Sequence, residues 1–116
     1  MADSEKIYIV DRITSKPGRG RTFLELYMER YAPGARKRGM THEFTLVAPP
    51  LWMTDRPNTL YIIWSVVGVA HWWEMARRSR HDDGVTEWWA EAGSMIDSRD
   101  RHYASDIADL AVLSDV

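Results

Sequence analysis

Apolar and polar residues alternate along Lys6–Ile13, with Ile7, Ile9 and Ile13 on one side and Tyr8, Val10 and Arg12 on the other. That is the period of a half-buried strand. Ser15-Lys16-Pro17-Gly18 closes it with turn chemistry. From about Gly20 the period turns helical, and Phe23, Leu24, Tyr27, Met28 and Tyr31 share one face until Pro33-Gly34 interrupts it. Ala35–Arg38 adds a short helical turn before Gly39. Met40–Val47 predicts a second strand, with His42, Phe44 and Leu46 on one face and Thr41, Glu43, Thr45 and Val47 on the other. Pro49-Pro50 ends that strand or marks it as an edge. After the turn Asp55-Arg56-Pro57-Asn58, Thr59–Val67 is the most β-prone run of the chain.

Beyond Gly68 the pattern Val-x-x-Trp-Trp-x-x-Ala occurs twice, at Val69, Trp72, Trp73, Ala76 and at Val85, Trp88, Trp89, Ala92. Each set falls on one helical stripe, which predicts two helices with their indoles turned inward. Arg80-His81-Asp82-Asp83-Gly84 separates them, with Asp83 as the expected N-cap of the second. Ser98–Ser105 is a weak strand with Arg99, Arg101 and Tyr103 on one side. Met1–Glu5 reads as a frayed start, and the apolar tail within 106–116 as a segment that packs, in one reading against a partner subunit.

The order β-α-β-β-α(α)-β is the split βαβ arrangement of an α+β, ferredoxin-like domain: a four-stranded antiparallel sheet with its helices on one face. At 116 residues one domain spans the chain, 1–116. The bare sheet face predicts a homodimer. A net charge of −2 gives no electrostatic footprint for nucleic acid. Arg36-Lys37-Arg38 and Arg77-Arg78-Ser79-Arg80 read as solvated helix ends that complement the helix dipole. With no cysteine there are no disulfides, thiolate metal sites or cysteine nucleophiles. No apolar run has membrane-spanning length and no signal-peptide core stands at the start, so the expectation is a cytoplasmic protein without a membrane partner.

Tyr31-Ala-Pro-Gly-Ala-Arg-x-x-Gly39, Ala48-Pro-Pro-x-Trp52 and Pro57-Asn-Thr-Leu60 leading into Trp64 resemble the dimeric α+β barrel superfamily. Within it they resemble the NIPSNAP-like branch, with its tryptophan-rich second helical region and a Ser-Arg segment before the last strand. The likeness spans roughly Lys6 to Tyr103 and implies two subunits packed sheet to sheet, each with a pocket between its own sheet and helices. It implies no single chemistry. The superfamily includes cofactor-independent monooxygenases, cyclases, isomerases, dehydratases and haem-degrading enzymes, so function has to be read from the site.

The candidates for chemistry are few. Gly18-Arg-Gly20 lacks a dinucleotide fingerprint, and the histidines at 42, 71, 81 and 102 have no metal-ligand spacing, so neither a metal nor a cofactor is expected. His42, on the expected buried face of its strand, is a candidate general acid or base; the alternative is an imidazole satisfied by packing. His81, followed by two aspartates, is the second candidate, against a solvated linker. Tyr31 and Tyr27, one helical turn apart, can hydrogen-bond a substrate oxygen or simply pack. Arg99 and Arg101 can hold a carboxylate or form a charge pair. Trp52, Trp64, Trp73, Trp88 and Trp89 either fill a core or wall an aromatic pocket.

The leading expectation is a small homodimeric enzyme doing proton-transfer chemistry (isomerisation, cyclisation or elimination, thus an isomerase or lyase) on an apolar, ring-containing metabolite. His42 or His81 moves the proton, and Tyr27 or Tyr31 holds the oxygen that gains charge. A cofactor-independent monooxygenase of a phenolic substrate and a non-catalytic, ligand-binding or structural dimer remain open.

Overall fold

A computed structural model describes residues 5–114. The chain runs β1 (Lys6–Ser15), α1 (Gly20–Leu26), a π-helical turn (Tyr27–Tyr31), α2 (Ala32–Lys37), β2 (Thr41–Ala48), β3 (Thr59–Val67), α3 (Val69–Arg80), α4 (Asp83–Ala92) and β4 (Ile96–Ala104). A 3-10 turn (Ile107–Asp109) and α5 (Leu110–Ser114) follow. Every strand pair is antiparallel and the order is β2-β3-β1-β4, the expected ferredoxin-like sheet. The frayed start expected at Met1–Glu5 lies outside the described residues except for Glu5, whose carbonyl accepts from Gly68 N at 2.8 Å. The last two residues of the tail lie outside them as well. No helix among the described residues is long and apolar enough to cross a membrane.

Alternation builds the core. Ile9 and Ile13 of β1 and Leu60, Ile62 and Trp64 of β3 are buried against Phe23, Tyr27 and Tyr31 of the first helical segment and Trp88 of α4. These side chains leave water at roughly 25 cal/mol per Å² of apolar surface, the main force holding helices to sheet.

Four local expectations change. The first helical segment does not break at Pro33-Gly34. It widens instead into the π turn, where Ala32 N bonds to Tyr27 O, and Pro33 enters the first turn of α2, where a missing N–H is tolerated. His42 does not share a face with Phe44 and Leu46. The β2–β3 register shifts between His42 and Phe44, so Glu43 is an extra residue and the alternation after it is inverted. His42 therefore turns to the helices beside Trp64, while Phe44 and Leu46 stand on the open face, 50% and 55% exposed. On α3 the inward stripe is centred on Trp72, Met75 and Ser79, one step round from the expected one, and Trp73 is 60% exposed. Lastly, the N-cap of α4 is Asp82, accepting from Gly84 N at 2.9 Å, because Asp83 already has helical geometry.

The β2–β3 connection is fastened by one side chain. Buried Asn58 accepts from Met53 N through Oδ1 at 3.0 Å and donates through Nδ2 to the carbonyls of Leu51 at 2.8 Å and Pro49 at 3.3 Å. Gly18, at φ +73°, passes close beneath the same loop: a Cβ there would sit 2.5 Å from Thr54 O. Asn58→Ala leaves buried donors and acceptors without partners, so it is expected to destabilise the protein by about 3 kcal/mol, as read from urea unfolding.

Candidate functional site

The face of β1 that meets the helices carries Ile9, Asp11, Ile13 and Ser15, all fully buried. A carboxylate in that position needs a positive partner and donors on every side. The antiparallel register places Arg101 of β4 directly opposite Asp11. Arg101 Nε donates to Oδ1 at 2.6 Å and Nη2 donates to Oδ2 at 2.9 Å, a bidentate fork. Nη2 also donates to Tyr31 Oη at 3.0 Å. Tyr27 Oη donates to Asp11 Oδ2 at 3.3 Å and accepts from Trp64 Nε1 at 2.6 Å. Three strands and the π turn thus converge on one buried polar network.

The electrostatics follow from this geometry. Burial alone pulls the Arg101 pKa down, but the hydrogen bonds and charge of Asp11, with Tyr31, outweigh it and hold it above the usual arginine value. Burial, then Asp11 and Tyr31, push Tyr27 well above the ordinary tyrosine range, so it stays a neutral phenol at pH 7. Its hydroxyl is committed at both ends. Tyr31 Oη accepts from Arg101, and its own hydrogen has no partner among the described residues.

Around the network the aromatic rings pack closely: Tyr27 and Tyr31 lie 4.8 Å apart, and Tyr31 and Trp89 5.6 Å. Arg99 stacks on Trp89 with Cζ 3.6 Å from the ring centroid. Trp64 and Trp88 are buried core residues. Trp52 lies instead at the β2 edge, in a cleft shared with Leu46 and Pro50. Between α3 and β4 a cleft of about 320 Å³ is walled by Trp72, Trp73, Met75 and Tyr103, with Arg101 and Arg80 among its lining.

The histidines do not join this network. The half-buried His42 ring stands edge-on to Trp64 at 5.2 Å, and its Nε2 pairs with Thr45 Oγ1 at 2.9 Å. Burial, then Arg36, lower its pKa below the ordinary 6.5, leaving it neutral at pH 7. His81 is exposed at the end of α3 and lines a separate cleft with Lys37 and Arg78. Among the described residues no group of histidine and carboxylate side chains gathers as metal ligands. Asp11 is the residue of this network that sequence reading missed. Its signal was a lone carboxylate in phase with Ile9 and Ile13.

Fold and network define a ferredoxin-like α+β domain with a polar centre inside its sheet–helix interface. A NIPSNAP family protein of unknown function from Agrobacterium tumefaciens has this fold with a TM-score of 0.69, at 10% identity over 88% of each chain. A NIPSNAP domain protein from Burkholderia xenovorans superposes with a TM-score of 0.67, at 10% identity over 88% of this chain and 95% of that one. A cofactor-independent oxygenase from Streptomyces nogalater gives 0.56, at 12% identity over 90% and 95%. No family model matches the sequence, and no curated protein sequence does either.

Removing one partner of the buried pair strands the other's charge. Asp11→Ala and Arg101→Met are each expected to cost about 3–5 kcal/mol in urea unfolding. The double variant is expected to cost well under the sum of the two, and strict additivity would mean that the pair is not coupled.

Proposed function

We propose that the protein is a small homodimeric enzyme that binds a ring-containing metabolite in the α3–β4 cleft and stabilises negative charge on its oxygen during proton transfer. One observation carries this reading: Arg101, locked by both oxygens of buried Asp11, sits in the lining of a cleft walled by aromatic rings. Arg101 Nη1 carries no hydrogen bond among the described residues. A preorganised cation in a partly dry, aromatic site favours an enolate or phenolate over the neutral ligand. Isomerisation, cyclisation and elimination that begin by removing a proton beside a carbonyl pass through such an oxygen. Neither His42 nor His81 lines this cleft, so either could serve only by way of ligand reaching its own position. The cofactor-independent oxygenase that shares the fold supports a second chemistry on the same site, reaction of a bound phenolate with dioxygen.

Pairing of subunits is part of the proposal. Phe44 and Leu46 are half exposed on the open sheet face, beside Tyr61 and Ile63 of β3. Burying such a face against a second copy removes it from water. Light scattering at micromolar concentration is expected to give twice the monomer mass, and a stable monomer would remove this part of the proposal.

Titration of tryptophan fluorescence with phenols, β-diketones and lactones tests the ligand class. Saturable quenching by oxygen-bearing rings is expected, weakened roughly 10–100-fold in Arg101→Met through loss of a charged hydrogen bond. Quenching that is unchanged in this variant would remove Arg101 from the site. With a ligand in hand, turnover by His42→Ala and His81→Ala shows whether either histidine moves the proton, and oxygen uptake on turnover assigns the oxygenase chemistry instead.

A further inference from the structure

The basic residues at the helix ends have different fates. Arg38, expected as a solvated helix end, is only 5% exposed and donates to Asp82 Oδ2 at 3.1 Å. Arg77 is held by Glu74 at 2.8 Å. Arg80, the last residue of α3, is exposed, and its side chain makes no hydrogen bond or ion pair with any described residue. It stands in the lining of the α3–β4 cleft, where no carboxylate accompanies it.

That cleft has two unlike ends. Toward the start of α3, Trp73 and Tyr103 each meet Trp72 edge to face, with centroids 4.8 and 5.1 Å away, and are themselves 60% and 50% exposed. Toward its end, Ser79 and Arg80 supply polar groups. Ser79 Oγ donates only to Met75 Sδ at 3.7 Å, a weak acceptor, so its hydroxyl gains by turning to an anion. Trp73 and Arg80 lie about two turns apart on α3, roughly 10 Å along the axis. A ring with a short acidic arm, met by the length of the arginine side chain, spans that distance.

The two arginines of the lining are suited to different oxygens. The charge of Arg101 is offset by Asp11 in contact with it, which leaves Nη1 as a fixed donor for an oxygen of the ring. The charge of Arg80 is not offset, so a permanent anion belongs there. One uncompensated positive charge matches a carboxylate, whereas a phosphate ester carries roughly two negative charges.

We propose that the ligand of this cleft is an aromatic acid, with its ring against Trp73 and Tyr103 and its carboxylate on Arg80 and Ser79, and that Arg80 selects it over neutral rings. This rests on the α3–β4 cleft being the ligand site, as proposed above, and adds the anionic group to the ligand.

Tryptophan quenching of the full chain by para-hydroxyphenylpropionate and by its methyl ester separates the two readings. The acid is expected to bind about tenfold tighter than the ester, the size of a charged hydrogen bond, with a preference that shrinks as salt rises. Arg80→Gln, a change at an exposed position, is expected to remove most of that preference. Arg78→Gln, which takes a cation from the neighbouring cleft instead, is expected to keep it. Equal binding of acid and ester, a preference that survives Arg80→Gln, or one lost equally in Arg78→Gln overturns the role of Arg80 while the ring site stands. Binding of neither compound overturns the ring site and the aromatic acid together.

Discussion

A carboxylate stands fully buried in the middle of β1, on the face that meets the helices, and the rest of the interior answers it. An isolated anion there would cost many kcal/mol, so the chain must bring it a fixed cation and hydrogen-bond donors. Arg101 arrives on β4 by register, Tyr27 on the π turn by helical phase, and Trp64 on β3 as a donor to that phenol. Such a network contributes less to net stability than apolar residues of the same volume can. What it adds is specificity: a one-residue slip of β4 would turn Arg101 to the opposite face and leave Asp11 unpaired.

The π turn is the second half of the same arrangement. Its extra residue per turn holds both tyrosines, Tyr27 and Tyr31, against the sheet while the chain absorbs Pro33 without ending the helical segment. Single π turns of this kind recur at functional sites, because they re-aim side chains at small cost. Here they deliver two phenols with different fates. Tyr27 is sealed between Trp64 and Asp11, whereas Tyr31 joins the Arg101 network on one side and meets the Arg38 guanidinium over its ring on the other.

The fold is shared by NIPSNAP proteins of unknown function and by an oxygenase, at identities near a tenth, so it carries no chemistry by itself. Chemistry in this chain has to be read from where its cations are placed. Arg101 is held in place by both oxygens of Asp11, and Arg38 is buried with part of its fork unpartnered. Both features are set by contacts between residues far apart in sequence.

Local sequence determined the strands, the helices and their order, because alternation and the 3.6-residue period are properties of neighbouring residues. Thr59–Val67 is the same strand in the sequence and in the structure, and Trp88 and Ala92 turn inward as their spacing requires. Reading failed where a single residue changed the phase: Glu43 bulges out of β2 and sends His42 to the helices, and the buried stripe of α3 is turned so that Trp73 faces water. Nothing local marks either event, since both are decided by the packing of the element beside them. The pairing of Asp11 with Arg101, 90 positions apart, needed the register of β1 on β4. The pairing of Arg38 with Asp82, the N-cap of α4, likewise joins residues 44 positions apart. Periodicity shows which side chains leave water; only the tertiary structure decides which charged groups leave it together.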